Sequence, residues 1–280
     1  MDKLIRERTG NRLSISMLGQ DDPDSENFTV GEVRNGTLDM ARINLAVFNA
    51  AVPSTVVLSL PYLFKSAAHM RRVLDGPIGD RILADLESQG LVGLCFYDAG
   101  ARSFYSSTKP IRIAADMKGM KVRVQQGDIA AAMVRALGAT AMSMSYQKGY
   151  DALKVGLVDA AVNTMQFYSS SGHFQVARYY SPTEHSMAPG VLVFSKGVWD
   201  TLPADDQAAI RTAAKDSVPY MRKLWDISEV SLRKIAEAGG ARITGDIDTK
   251  SFTDALLPLH PVLVTDGRLR ETIAKIQAAD

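Results

Sequence analysis

The sequence predicts an α/β fold with mostly parallel sheets, and three observations carry that expectation. Short strand-like runs alternate with helical periodicities along the whole chain. The run Leu91–Tyr97 is continuously apolar, the pattern of a strand covered on both faces. A length of 280 residues, with 46% apolar and 22% charged side chains, suits one large or two medium globular domains.

In chain order, Asp2 to Arg8 has helical spacing and is stopped at Thr9-Gly10, with Gly10 as the C-cap. Leu13 to Leu18 alternates as a half-buried strand. The acidic loop Asp21-Asp22-Pro23-Asp24-Ser25 can N-cap a helix over Glu26–Asn35. Leu38 to Ala46 reads as a short strand, Pro61 to Phe64 as a loop, and Ser66–Leu74 and Pro77–Ser88 as amphipathic helices. Strands follow at Leu91–Tyr97, Arg102–Ser106, Lys121–Gln125, Ala160–Thr164 and Val191–Ser195. Helices over Asp128–Leu137 and Tyr146–Val155 are closed by Gly138 and Gly156. From Ala204 to Ala238 the periodicity is unbroken, roughly 35 residues and about 50 Å. One lobe does not need that length, so the helix is expected to cross between two lobes, with a kink at Pro219.

Composition excludes several functions. With 32 basic and 31 acidic residues, the net charge of +1 gives no basis for nucleic-acid or anionic-membrane binding. No stretch approaches 18 consecutive apolar residues, and the start, Met1-Asp2-Lys3-Leu4-Ile5-Arg6, is a charged amphipathic segment rather than a secretion leader. The single cysteine, Cys95, rules out an intrachain disulfide and a cysteine-built zinc site, and its apolar setting reads as core. The four histidines lack i,i+4 pairing, and dinucleotide, P-loop, nucleophile-elbow and zinc-protease motifs are absent, so neither metal nor cofactor is expected.

What the sequence offers is anion-recognition chemistry. In Lys121-Val122-Arg123-Val124-Gln125, alternation puts the valines on one face and Lys121, Arg123 and Gln125 on the other. Arg123 there is either on a solvated face or a clamp for a carboxylate. Arg102 stands among residues that should be partly buried, Asn163 ends the apolar strand Ala160–Thr164, and Tyr146 opens a helix. Cations, amides and an aromatic are the parts needed to hold a carboxylate and a polyol without transforming them. Each also has an ordinary structural role available. Glu184-His185 is a possible acid/base pair, although neighbours on a regular strand point to opposite faces.

Together the segments resemble the solute-binding proteins of the tripartite ATP-independent periplasmic (TRAP) transporters, the C4-dicarboxylate-type family. The likeness runs through Leu38-Asp39-Met40, Leu60-Pro61-Tyr62-Leu63-Phe64, Asp116-Met117-Lys118-Gly119-Met120-Lys121-Val122-Arg123-Val124, Tyr150-Asp151-Ala152-Leu153, Gly156-Leu157-Val158-Asp159 and Trp199-Asp200. The resemblance implies a two-lobe periplasmic binding protein with mixed sheets, a central cleft that closes on an organic acid, and a long helix crossing both lobes. Residues 1–100 with 189–228 would form lobe I, and 101–188 with 229–280 lobe II. It implies that Arg123 clamps the carboxylate, with Arg102, Asn163, Tyr146, Glu26 and Asn44 at ligand-contacting positions.

Ala101-Arg102-Ser103-Phe104-Tyr105, Val124-Gln125-Gln126-Gly127-Asp128 and Tyr179-Tyr180-Ser181-Pro182-Thr183-Glu184-His185-Ser186 resemble the hexuronate-binding members, which brings Gln125 and His185 to the site and makes the expected ligand glucuronate or galacturonate. Val162 and Gly190 stand where the family pattern carries Glu. The implied setting is periplasmic, as a monomer delivering to TRAP membrane subunits, with a leader and first strand that this sequence does not carry. The alternatives are a lyase or isomerase using Glu184 or His185, and the binding subunit of a sensor.

Overall fold

The computed structural model describes residues 1–18, 26–125 and 127–279, and for Tyr146 the backbone only. Its strands, in chain order, are β1 (Met40–Asn44), β2 (Leu91–Tyr97), β3 (Arg102–Ser106), β4 (Lys121–Val124), β5 (Thr140–Ser143), β6 (Ala160–Thr164), β7 (Tyr179–Ser186), β8 (Gly190–Ser195) and β9 (Arg242–Ile243). They form a three-stranded sheet, β1-β8-β2, and a six-stranded sheet, β5-β4-β6-β3-β7-β9. The chain divides into two compact units. The first is Met1–Thr55, Arg72–Asp98 and Pro189–Trp225; the second is Val56–Arg71, Ala99–Ala188 and Asp226–Asp280.

In the first unit both strand pairs are antiparallel. The expectation of parallel neighbours for Leu91–Tyr97 is therefore corrected. A continuous apolar run reports burial on two faces, not strand direction. On one face Val92, Leu94, Leu192 and Phe194 pack with Trp199 and with Ile210, Ala213 and Val218 of the helix Ala204–Ala238. Tyr97 and Ser217 hydroxyls meet at 2.6 Å. Close approach of the helix Pro77–Asp85 needs Gly93: a Cβ there would lie 2.7 Å from the Leu83 carbonyl oxygen.

Leu13–Leu18 forms no strand, contrary to its alternation. No described strand pairs with it. Ile15 is fixed instead by its N–H, which donates to the Asp2 carboxylate at 2.7 Å, while Met17 and Leu18 stay exposed. The acidic loop before Glu26 lies outside the described residues.

The second unit's sheet is mixed. β4 runs parallel to β5 and β6, β3 runs antiparallel to β6 and β7, and β9 is parallel to β7. One face carries Phe104, Val122, Val124 and Val162 against Met133 and Phe252. The other carries Tyr105 and Ala161 against Leu153, Tyr168 and Ala236. The alternation of β3, β4 and β6 thus supplies two cores, one on each side. The helix Ala204–Ala238 runs through Pro219 without a break, and its residues belong to the first unit up to Trp225 and to the second from Asp226.

Candidate functional site

The second unit gathers polar side chains at one end of its sheet, where β4 and β6 finish, β3 begins and β7 finishes. Register brings them together: Arg123 pairs with Ala161, Ser103 with Asn163, and Arg102 with both Thr164 and Ser186. This is the carboxyl end of the parallel strands, where open α/β sheets present ligand sites.

Arg123 is only 1% exposed, which rules out the solvated-face reading. Its Nε and Nη2 donate to the Met144 carbonyl at 3.2 and 2.8 Å. Gly149 of the helix Tyr146–Lys154 lies alongside; a Cβ there would be 3.4 Å from Nε. The guanidinium is therefore held in place rather than left to choose among rotamers. Arg102 spans two amides, donating to Asn163 Oδ1 at 3.4 Å and to Gln125 Oε1 at 3.3 Å. Asn163 Oδ1 also accepts from the Thr164 N–H at 2.9 Å, which orients the amide.

β7 does not keep regular alternation. Glu184 has φ +45°, and the pairing of β3 with β7 shifts between Arg102 and Phe104. This bulge re-aims His185, whose ring stacks on Phe104 at 4.2 Å and whose Nδ1 lies 2.9 Å from Thr183 Oγ1. Burial, reinforced by the Arg102 charge, lowers the His185 pKa to about 3. His173, bonded through Nδ1 to the Tyr105 hydroxyl at 2.9 Å, is lowered to about 4 by burial and then by Arg123. Both rings are neutral at pH 7, next to arginines that stay charged.

In the first unit Glu26 opens the helix Glu26–Asn35, and its Oε1 accepts the Asn44 N–H at 2.9 Å. Asn44 is itself a cap: its Oδ1 accepts from Ala46 N–H at 3.0 Å, at the start of the turn Leu45–Phe48.

The model of the bacterial extracellular solute-binding proteins, family 7, matches residues 1–265. The chain belongs to this family. A solute-binding protein of Chromohalobacter salexigens is 36% identical over 284 residues, 99% of this chain and 83% of its own length. Among solved structures, a TRAP periplasmic solute-binding protein from Xanthobacter autotrophicus Py2 with bound β-D-galacturonate has 46% identity and a TM-score of 0.92, covering 100% of this chain and 93% of that one. Another from Chromohalobacter salexigens, with bound D-glucuronate, has 33% identity and a TM-score of 0.93, with the same coverage of both chains. The two-lobe α/β architecture and the solute-binding role read from the sequence are those of the family.

Of the residues picked from the sequence of this family 7 protein, the fold brings Arg102, Gln125, Asn163, His185 and Arg123 to one sheet end. Glu26 and Asn44 meet in the first unit. The Tyr146 side chain and Gln126 lie outside the described residues. Sequence reasoning missed Met144, which acts through a backbone carbonyl and so leaves no side-chain signal. It also missed the Tyr105–His173 pair, 68 positions apart. Cys95 is core, and burial pushes its thiol up to about 12, so no thiolate forms at neutral pH. Among the described residues no helix is long and apolar enough to cross a membrane.

Proposed function

We propose that this solute-binding protein captures a hexuronate such as glucuronate or galacturonate and delivers it unchanged, outside the cytoplasm and as a monomer, to TRAP membrane subunits. Arg123 and Arg102 hold the carboxylate. Asn163, Gln125 and His185 take the polar atoms beside it, Glu26 and Asn44 of the first unit take further hydroxyls, and Tyr146 packs on the sugar ring. The observation that carries this reading is the pair of arginines at one sheet end, Arg102 bridging the amides of Asn163 and Gln125 and Arg123 buried and anchored on the Met144 carbonyl. A planar fork held in advance suits a carboxylate, because its ordering cost is met before binding. The hexuronates held by solved relatives support the same ligand class.

His185, one member of the candidate acid/base pair, gives an enzymatic role no support. A ring held neutral down to about pH 3, as His185 is, makes a poor general base at pH 7.

The test is titration calorimetry with D-galacturonate and D-glucuronate. Arg123→Ala should weaken binding at least about a hundredfold, the loss of two charge-assisted bonds. Near-wild-type affinity in that variant would remove the clamp. NMR of a uronate after long incubation with the protein should return the starting compound; a new product would favour the enzyme.

A further inference from the structure

One charged side chain of the first unit has no part in the recognition described above. Arg42 lies in the middle of β1, on the same face as Asn44. Unlike its buried neighbours Ile43 and Asn44, it keeps much of its surface in solvent. Its guanidinium does not stand straight up from the strand. It leans along the sheet over Gly190, the residue of β8 that pairs with Asn44. A Cβ at position 190 would lie 2.4 Å from Arg42 Nε and 2.7 Å from Nη2, so any side chain there would push the guanidinium from this place. Nη2 donates to the Asp98 carbonyl at 3.4 Å, a long bond that guides more than it holds.

The Glu26 carboxylate lies against the same strand, accepting the Asn44 N–H at 2.9 Å. Protein crowds the guanidinium enough that desolvation lowers its pKa, with the Glu26 charge acting the other way. A cation that is solvent-accessible, crowded and loosely hydrogen-bonded is placed to exchange water for a ligand.

We propose that Arg42 is a further ligand-contacting residue, and that with Glu26 it forms a donor–acceptor pair reading two adjacent hydroxyls of the sugar acid. This rests on the hexuronate reading above. The chemistry follows from what each group can do. A guanidinium only donates, and an ionised carboxylate only accepts, whereas a sugar hydroxyl does both. Two neighbouring hydroxyls therefore satisfy the pair together, one accepting from Arg42 while the other donates to Glu26. A second carboxylate in the same place could accept from Arg42, but it would meet Glu26 with like charge and offer it no donor. The pair thus selects a monocarboxylate that keeps a vicinal diol, and disfavours the corresponding aldarate, in which both ends are carboxylates.

Calorimetry on the full chain with D-galacturonate, D-glucuronate, their monodeoxy analogues and galactarate tests this. Arg42→Ala should weaken the preferred uronate about tenfold or more, the loss of a charge-assisted bond. Gly190→Ala should do the same by swinging the flexible guanidinium aside, and the double variant should be no weaker than either single one. Melting temperatures of the ligand-free variants should match the wild type, because Arg42 makes one long hydrogen bond and is not in the core. At least one monodeoxy analogue should bind the wild type more weakly than the parent sugar, and that penalty should vanish in Arg42→Ala.

Arg42→Ala within about twofold of wild type, multiplying losses in the double variant, or galactarate binding as tightly as the uronate would each overturn the proposal. A wild-type protein that binds no uronate would instead remove the hexuronate reading, and this inference with it.

Discussion

Arg123 illustrates how burial decides between two readings of one side chain. An alternating strand explains an arginine on a wet face equally well, but a guanidinium only 1% exposed needs partners; the Met144 carbonyl anchors it, and Gly149 leaves it room. The same neighbourhood makes a prediction about pH. His173 is lowered to about 4 and His185 to about 3, each first by burial and then by an adjacent arginine. Because both folded values lie below the ordinary 6.5, the unfolded chain binds more protons between about pH 6.5 and pH 4. Stability from these two groups is therefore complete above pH 6.5 and is lost as pH falls, by up to about 1.4 kcal/mol per pH unit for each. Urea unfolding from pH 7 to pH 4 should follow that slope, and His173→Gln should make it shallower. An unchanged slope in the variant would mean that His173 titrates normally in the fold.

At the level of elements, what packs most tightly is backbone. Gly93 lets β2 lie against the end of the helix Pro77–Asp85, where any Cβ would press into the Leu83 carbonyl and Cα at 2.7 and 2.9 Å. Neither partner is a flexible tip that can swing away. Gly93→Ala should therefore cost about 1–3 kcal/mol, read as a lower urea midpoint with an unchanged slope; full stability would mean that the helix shifts freely on the strand. Elements also explain which parts of the fold were legible in the sequence. β2, β3, β4, β6 and the 35-residue helix Ala204–Ala238 stand where their periodicities put them, because each buries a face that its own pattern encodes. Leu13–Leu18 carries the strand pattern without a strand, because alternation records which side is buried and not whether a neighbour supplies hydrogen bonds. The bulge at Glu184 was invisible for a related reason. A left-handed glutamate has no composition signal, yet it decides where His185 points.

Over the whole molecule, the residues at the second unit's sheet end come from β3, β4, β6 and β7, with sequence separations of up to 84 positions between Arg102 and Ser186. No local motif encodes such a meeting. The residue types were readable one by one, but their convergence follows from strand order, which only the fold supplies. The chain's net charge of +1 matters here too, because it provides no general attraction for anions. Selectivity for an acid must come from those few cations, and a melting experiment separates the two sources. Ligand that binds only the folded state at about 100 times its dissociation constant stabilises by about 2.7 kcal/mol. For a chain of this size that is a rise of several degrees in melting temperature. D-Galacturonate or D-glucuronate should produce that rise. D-Galactose and D-glucose, which keep the hydroxyls but lack the carboxylate, should produce almost none, and raising the salt concentration should leave most of the uronate shift intact because Arg123 is shielded from solvent. Equal shifts from the neutral sugars would place the binding energy in the hydroxyl contacts and take it from the arginines.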